Sequence, residues 1–154
     1  MFSGFRGVHY ISLDAKGRLA WPSRYRERLQ EHCEGELVLT IHPSERCLLV
    51  YPRPEWEDIE ERLTRLPGLN PAARRLQRLL IGHALECQLD GAGRILVTPP
   101  LREFAGMDRK TVLTGLGNKF ELWDETTWNS SREQWLQENA EDESLSGELE
   151  SLAL

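Results

Sequence analysis

A chain of 154 residues holds one compact domain or two small ones, and no apolar run in it approaches the length that crosses a bilayer. Net charge is −6, yet residues 133–154 carry seven acids and no lysine or arginine, which leaves residues 1–132 at +1 and residues 1–30 at +4. The acidity sits in a tail and the basic charge is local, so a polyanionic partner is not excluded. Met1-Phe2-Ser3-Gly4-Phe5-Arg6 lacks the apolar stretch of a secretory signal. Cys33, Cys47 and Cys87 are scattered, without the spacing of a metal site or a disulfide framework, and point to the reducing cytosol.

In chain order, His9–Leu13 alternates as a strand, Asp14-Ala15-Lys16-Gly17 makes a turn, and Arg18–Trp21 returns as the second strand of a predicted hairpin. Pro22 suits the first turn of a short helix with Tyr25 and Leu29 on one face. Leu37–Ile41 and Cys47–Tyr51 are strands joined by a turn at His42–Glu45. Pro54 opens a helix with Trp56, Ile59, Glu60 and Leu63 at helical spacing, stopped by Pro67-Gly68. Asn70-Pro71 starts another that runs to about Ala84. Then follow a strand near Glu86–Leu89, a turn at Asp90–Arg94, a strand Ile95–Val97 and a short helix over Leu101–Ala105. Thr111–Leu113 and Phe120–Trp123 form a hairpin, and a last helix begins at Thr126 or Thr127 with Trp128 and Trp135 on one stripe. Beyond about Gln137 the acidic, serine-rich composition predicts fraying or disorder.

The chain repeats itself. Leu13-Asp14-Ala15-Lys16-Gly17-Arg18-Leu19 returns 76 residues later as Leu89-Asp90-Gly91-Ala92-Gly93-Arg94-Ile95. Pro22-Ser23-Arg24-Tyr25-Arg26 is answered by Pro99-Pro100-Leu101-Arg102, and Leu48–Tyr51 with Trp56 by Phe120–Trp123 with Trp128. One structural unit is built twice. Each copy is small for an independent core, so the two are expected to pack on each other as an intrachain pseudo-dimer. The predicted class is α+β and β-rich, with unit 1 over 8–54, a helical connector over 55–84, unit 2 over 85–127, and a C-terminal helix and acidic tail over 128–154.

Within each repeated turn, Asp14 or Asp90 caps backbone amides and Gly17 or Gly93 closes the bend. The bland reading pairs Arg18 with Asp14 and Arg94 with Asp90, but turn geometry alone needs no arginine, and its recurrence in both copies makes Arg18 and Arg94 the functional remainder. Each can point a planar fork at phosphate or at a guanine edge. Lys16 adds charge to the first copy and Ala92 does not, so the first is expected to grip more firmly. Arg24, Arg26 and Arg28 cover a broad helical face, to meet phosphate or to pair with Glu27 and Glu31. Arg74, Arg75 and Arg78 are expected to pair with Glu57, Asp58, Glu60 or Glu61 of the preceding helix, in this or a neighbouring chain, rather than to meet DNA. The tryptophans read as core and interface anchors rather than stacking platforms. An enzyme has little to stand on: His83 and Cys87 are four apart without an oxyanion loop, and Gly115-Leu116-Gly117-Asn118 is a hairpin turn with no phosphate-loop context. Neither a metal nor a cofactor is expected.

The two Asp-x-x-x-Arg turns, the stretch Arg74-Arg75-Leu76-Gln77-Arg78-Leu79-Leu80-Ile81-Gly82-His83-Ala84, and Asn118-Lys119-Phe120-Glu121-Leu122-Trp123 together resemble the MraZ family, over about Phe5 to Trp128. The resemblance implies tandem AbrB-type units, swapped-hairpin barrel halves joined by a helical connector and assembled into rings. It implies a cytoplasmic, nucleoid-associated regulator, expected to repress, that binds double-stranded DNA at short repeated boxes. These lie upstream of the division and cell-wall gene cluster, including its own gene. In that family the turns are linked to DNA contact, which maps here onto Lys16, Arg18 and Arg94. The sequence departs from the pattern in an extra Ser-Gly-Phe stretch before Arg6-Gly7. The DNA-binding set expected here is Lys16, Gly17, Arg18, Gly93, Arg94, Arg24 and Arg26, with Asp14 and Asp90 structural. Rival expectations are a ring-forming protein-interaction scaffold and an antitoxin, since AbrB-type folds serve that role too.

Overall fold

The computed structural model describes residues 4–152. The first three residues of the extra N-terminal stretch and the last two of the acidic tail lie outside them. Unit 1 runs β1 (Phe5–Ser12), β2 (Arg18–Ala20), α1 (Ser23–Cys33), β3 (Glu36–Ile41), β4 (Leu48–Pro52). The connector is α2 (Arg53–Thr64) and α3 (Pro71–Leu76), which continues into one π-helical turn over Gln77–Ile81. Unit 2 repeats the order as β5 (Leu85–Gln88), β6 (Arg94–Leu96), α4 (Pro99–Phe104), β7 (Lys110–Gly117), β8 (Phe120–Asp124), and α5 (Glu125–Glu141) and α6 (Ser146–Ser151) follow.

The units trade strands. A six-stranded sheet has the order β1-β7-β8-β4-β3-β5, and β2 pairs with β6 in a two-stranded ribbon. Only β3–β4 and β7–β8 pair within a unit; β1–β7, β3–β5, β4–β8 and β2–β6 all pair across units, every one antiparallel. The expectation of a local hairpin across Asp14–Gly17 is therefore corrected. The turn forms, with Gly17 N–H donating to the Asp14 carbonyl at 3.0 Å, but its two strands leave for different partners in the other unit. Exchange protects the inner edges of both copies, and leaves β1 and β5 as the outer strands.

Exchange also makes one core from two inadequate ones. Leu37, Leu39 and Ile41 of β3, two apart, face inward with Leu48, Val50, Leu113, Phe120 and Leu122. They meet Phe5, Leu19 and Trp21 of unit 1 and Ile95, Val97 and Leu101 of unit 2. Phe120 is the hub, with ring centroids 4.3 Å from Phe5, 5.1 Å from Trp21 and 5.2 Å from Tyr25. The helix α1 closes this face with Tyr25, Leu29 and Cys33, and stops where Glu34 (φ 56°) and Gly35 (φ 74°) turn left-handed.

The other sheet face is covered by two smaller clusters, which is why β3 and β4 read as nearly continuous apolar runs. Trp56 of α2 lies on Val38, Leu49 and Tyr51, while Trp128 and Trp135 of α5 lie on Cys47, Val112 and Trp123. Trp123, Trp128 and Trp135 form a mutual edge-to-face triangle with centroids 5.4–5.9 Å apart, so the tryptophans are packing anchors as expected. Two further expectations are corrected. Within this chain Glu57, Asp58 and Glu61 of α2 pair with Arg53, Arg62 and Arg65, Glu60 accepts from Trp56 Nε1 at 3.1 Å, and Arg74 donates instead to the Gly68 carbonyl at 3.1 Å. The tail is helical to Glu141 and again over Ser146–Ser151. Asp124 caps α5 at the Thr127 amide, and the side chains of Gln134 and Glu138 hydrogen-bond one turn apart.

Candidate nucleic-acid interface

The ribbon of β2 and β6 sets Arg18 opposite Leu96 and Ala20 opposite Arg94. The Asp-x-x-Gly-Arg turns enter this short antiparallel ribbon from opposite ends, yet stand close enough for Arg94 Nη1 to lie 3.9 Å from Asp14 Oδ2. In the first, Asp14 Oδ1 accepts the amides of Lys16 and Arg18, both at 2.9 Å, and Oδ2 accepts Arg18 Nε at 2.8 Å. In the second, Asp90 Oδ1 accepts Ala92 and Arg94 amides at 2.9 Å, and Oδ2 accepts Arg94 Nε at 3.1 Å. The two turns are geometric copies, each closed on the carboxylate of its own aspartate.

The arginines also have a structural role, the pairing with aspartate that the sequence offered as the alternative to a free fork. Each pairs with the aspartate four residues before it, so its Nε is engaged in the turn. That pairing holds each guanidinium at Nε, and Arg94 also turns Nη1 toward Asp14 Oδ2 of the first turn. The amide of Arg18 does most to hold the Asp14 carboxyl at about 2, well below the usual 3.8, and its side chain adds to this. Asp90 is lowered for the same reasons, with the Arg94 amide foremost. Both carboxylates stay ionised at any physiological pH, so the clamps on both arginines are permanent there.

The remaining basic residues divide. Lys16 is exposed at the tip of the first turn. Arg26 donates from Nε to the Trp21 carbonyl at 2.7 Å and packs beneath Gly93 of the second turn. Arg102 donates to the Val97 carbonyl at 3.0 Å and packs beneath Gly17 of the first. Arg102 was not singled out from the sequence, although it stands 76 positions after Arg26, the same offset that separates the two turns. Arg24 is carried to the other side of α1, 5.2 Å from the Tyr25 ring, and Arg28 lies 4.9 Å from the ring of Phe5 with Nη1 on the Gly4 carbonyl. The three arginines go to three places.

His83 Nδ1 faces the carbonyls of Arg78 and Leu79 at 3.2 and 2.9 Å, and burial pushes the Cys87 thiol up to about 12. Among the described residues no helix is long and apolar enough to cross a membrane.

Two copies of one unit, each completed by strands of the other and each carrying the same clamped basic turn, define a tandem swapped-hairpin protein of the AbrB type. The chain belongs to the MraZ family. The model of that family, described as "MraZ protein, putative antitoxin-like", matches residues 4–79 and again 80–147. The chain is 63% identical over 151 residues to the transcriptional regulator MraZ of Halorhodospira halophila, covering 97% of this chain and 99% of the relative. It is 59% identical to that of Thioalkalivibrio sulfidiphilus over 150 residues and 52% to that of Coxiella burnetii over 151, with the same coverage.

Proposed function

We propose that the protein is a transcriptional regulator that binds double-stranded DNA sequence-specifically through its paired turns. One observation carries the reading: two arginines, each fixed at Nε by its own aspartate, stand so close that Arg94 Nη1 lies 3.9 Å from the carboxylate that holds Arg18. A fork held in this way reaches phosphate or a guanine edge with little ordering left to lose. Arg18 and Arg94 make the specific contacts. Lys16 adds phosphate charge, and Gly17 and Gly93 let the backbone come close. Arg24 stands at the flank of this surface rather than within it.

Relatives of this chain are named transcriptional regulators, which supports a regulatory outcome of binding. The reading extends to repression of the division and cell-wall gene cluster, including the protein's own gene, through short repeated boxes. It extends also to a ring of copies that multiplies weak contacts through effective concentration. Exposed Val8, Tyr10 and Leu116, on one face of the neighbouring strands β1 and β7, are apolar surface that a second copy would cover.

The test is a footprint on the DNA upstream of its own gene, read together with the native mass of the bound assembly. Protected repeats in phase with the assembly are the expected result. Binding that is indifferent to sequence and to salt would instead indicate a scaffold whose partners are proteins.

A further inference from the structure

We propose that Arg26 and Arg102 are positioning residues that act crosswise, each bracing the DNA-contacting turn of the opposite unit. The inference rests on the proposed role of those turns. In sequence Arg102 belongs to unit 2, yet everything it touches at the ribbon serves the turn of unit 1. Its Nε bonds the Val97 carbonyl at 3.0 Å, and the Val97 amide bonds the Gly17 carbonyl at 2.9 Å. Its guanidinium lies against Gly17, where an added Cβ would stand 3.0 Å from Cζ and 3.1 Å from Nε.

The mirror arrangement holds Gly93 of unit 2. Arg26 of unit 1 bonds the Trp21 carbonyl at 2.7 Å, and the Trp21 amide bonds the Gly93 carbonyl at 2.8 Å. An added Cβ on Gly93 would meet Arg26 Nε and stand 2.6 Å from Cδ and 2.7 Å from Cζ. Each turn glycine thus has two constraints at once, a left-handed φ (81° at Gly17, 73° at Gly93) and an arginine stem packed where a side chain would be.

The chemistry suits bracing better than direct contact alone. Both guanidiniums are part-buried and spend Nε on a main-chain carbonyl. A lysine would keep the charge but could not lay a flat group under the glycine while donating sideways. Losing the brace frees the turn, and with it the pose of Arg18 or Arg94. The consequence is crossed coupling: Arg102 acts through Arg18, and Arg26 through Arg94.

Two measurements on the full chain decide this. The first needs no DNA: amide hydrogen exchange at the turns in Arg102→Met and Arg26→Met. Exchange should speed about tenfold at residues 14–18 in Arg102→Met and at residues 90–94 in Arg26→Met, each leaving the other turn unchanged. Faster exchange in the variant's own unit, or equally in both turns, overturns the proposal. The second is a binding cycle on the upstream DNA. Arg102→Met should weaken binding about tenfold alone, have no further effect in an Arg18→Ala background, and act in full in an Arg94→Ala background. Arg102→Lys should fail to restore binding; restoration by lysine would reduce Arg102 to a phosphate charge and overturn the proposal. Should Arg102→Met lose the melting transition, the reciprocal Arg26→Met reads the same crossing at the other turn. If Arg18→Ala and Arg94→Ala both bind normally, the DNA reading fails, while the exchange result still judges the brace.

Discussion

Arg94 Nη1 stands 3.9 Å from Asp14 Oδ2, so the arginine of the second turn reaches the carboxylate that anchors the first. Asp14 also holds Arg18 at 2.8 Å. One carboxylate therefore faces two guanidiniums, and the two turns form a single electrostatic group. At this exposure the pairs add little stability, and their effect is on orientation.

Removing either fork should separate recognition from assembly. Arg18→Ala and Arg94→Ala are each expected to weaken binding to the upstream DNA strongly, since one bidentate base contact is worth about 1–3 kcal/mol and recurs in every copy. The native mass should not change. A gel shift at physiological salt beside a mass measurement checks both. A fall in affinity that tracks loss of the assembly would make the arginines interface residues instead.

The asymmetry between Lys16 and Ala92 should show in salt. Lys16→Ala should reduce the slope of log affinity against log salt by about one per copy engaged, with sequence preference retained. Ala92→Lys should steepen it. Fluorescence anisotropy over a salt series reads the slope, and equal slopes for all three proteins would remove Lys16 from the DNA surface.

Acid should loosen the first turn. Asp14 is lowered in the folded protein to about 2 from 3.8, so its contribution to stability is fully present above about pH 4 and is lost as pH falls toward 2. Asp14→Asn should therefore melt lower than wild type at pH 6, and the gap should narrow toward pH 2. A gap that stays constant down to pH 2 would mean that the carboxylate's charge contributes nothing.

Three left-handed glycines rank by their surroundings. Gly117→Ala (φ 83°) meets nothing within 4 Å and should lose only the conformational penalty, about 1–2 kcal/mol. Gly17→Ala should lose somewhat more, because Arg102 and the Val97 carbonyl stand close. Gly93→Ala should lose most, as Arg26 must move. Urea denaturation gives the order, and a Gly93→Ala variant as stable as Gly117→Ala would show that Arg26 is free to swing away.

The acidic tail can compete with DNA for the basic turns. Deleting residues 138–154 should raise affinity for random DNA while leaving the fold intact, because every described side chain of that segment is exposed. Unchanged non-specific binding would show that the tail lies clear of the turns.

Local chemistry was legible in the sequence and partnership was not. Aspartate, glycine and the 76-residue offset specify both turns, because capping and left-handed φ are decided within five residues. Nothing in His9–Leu13 tells β1 to pair with Lys110–Gly117, a choice settled by where two half-cores can merge. Arg102 was in view as the counterpart of Arg26, but its importance appears only when Gly17 of the other unit is placed above it. The tail's helix was missed because composition predicts burial better than it predicts an exposed helix sustained by a cap and side-chain pairing.

The strand exchange has one more consequence. Had the two units been separate chains, the ribbon bearing both turns would exist only above some protein concentration, and would dissolve on dilution. The connector over α2 and α3 makes their encounter intramolecular, so every molecule carries a finished pair of turns however scarce it is. Any dependence of DNA binding on the amount of protein steeper than simple one-to-one binding then reports contacts between whole chains, never the making of the grip itself.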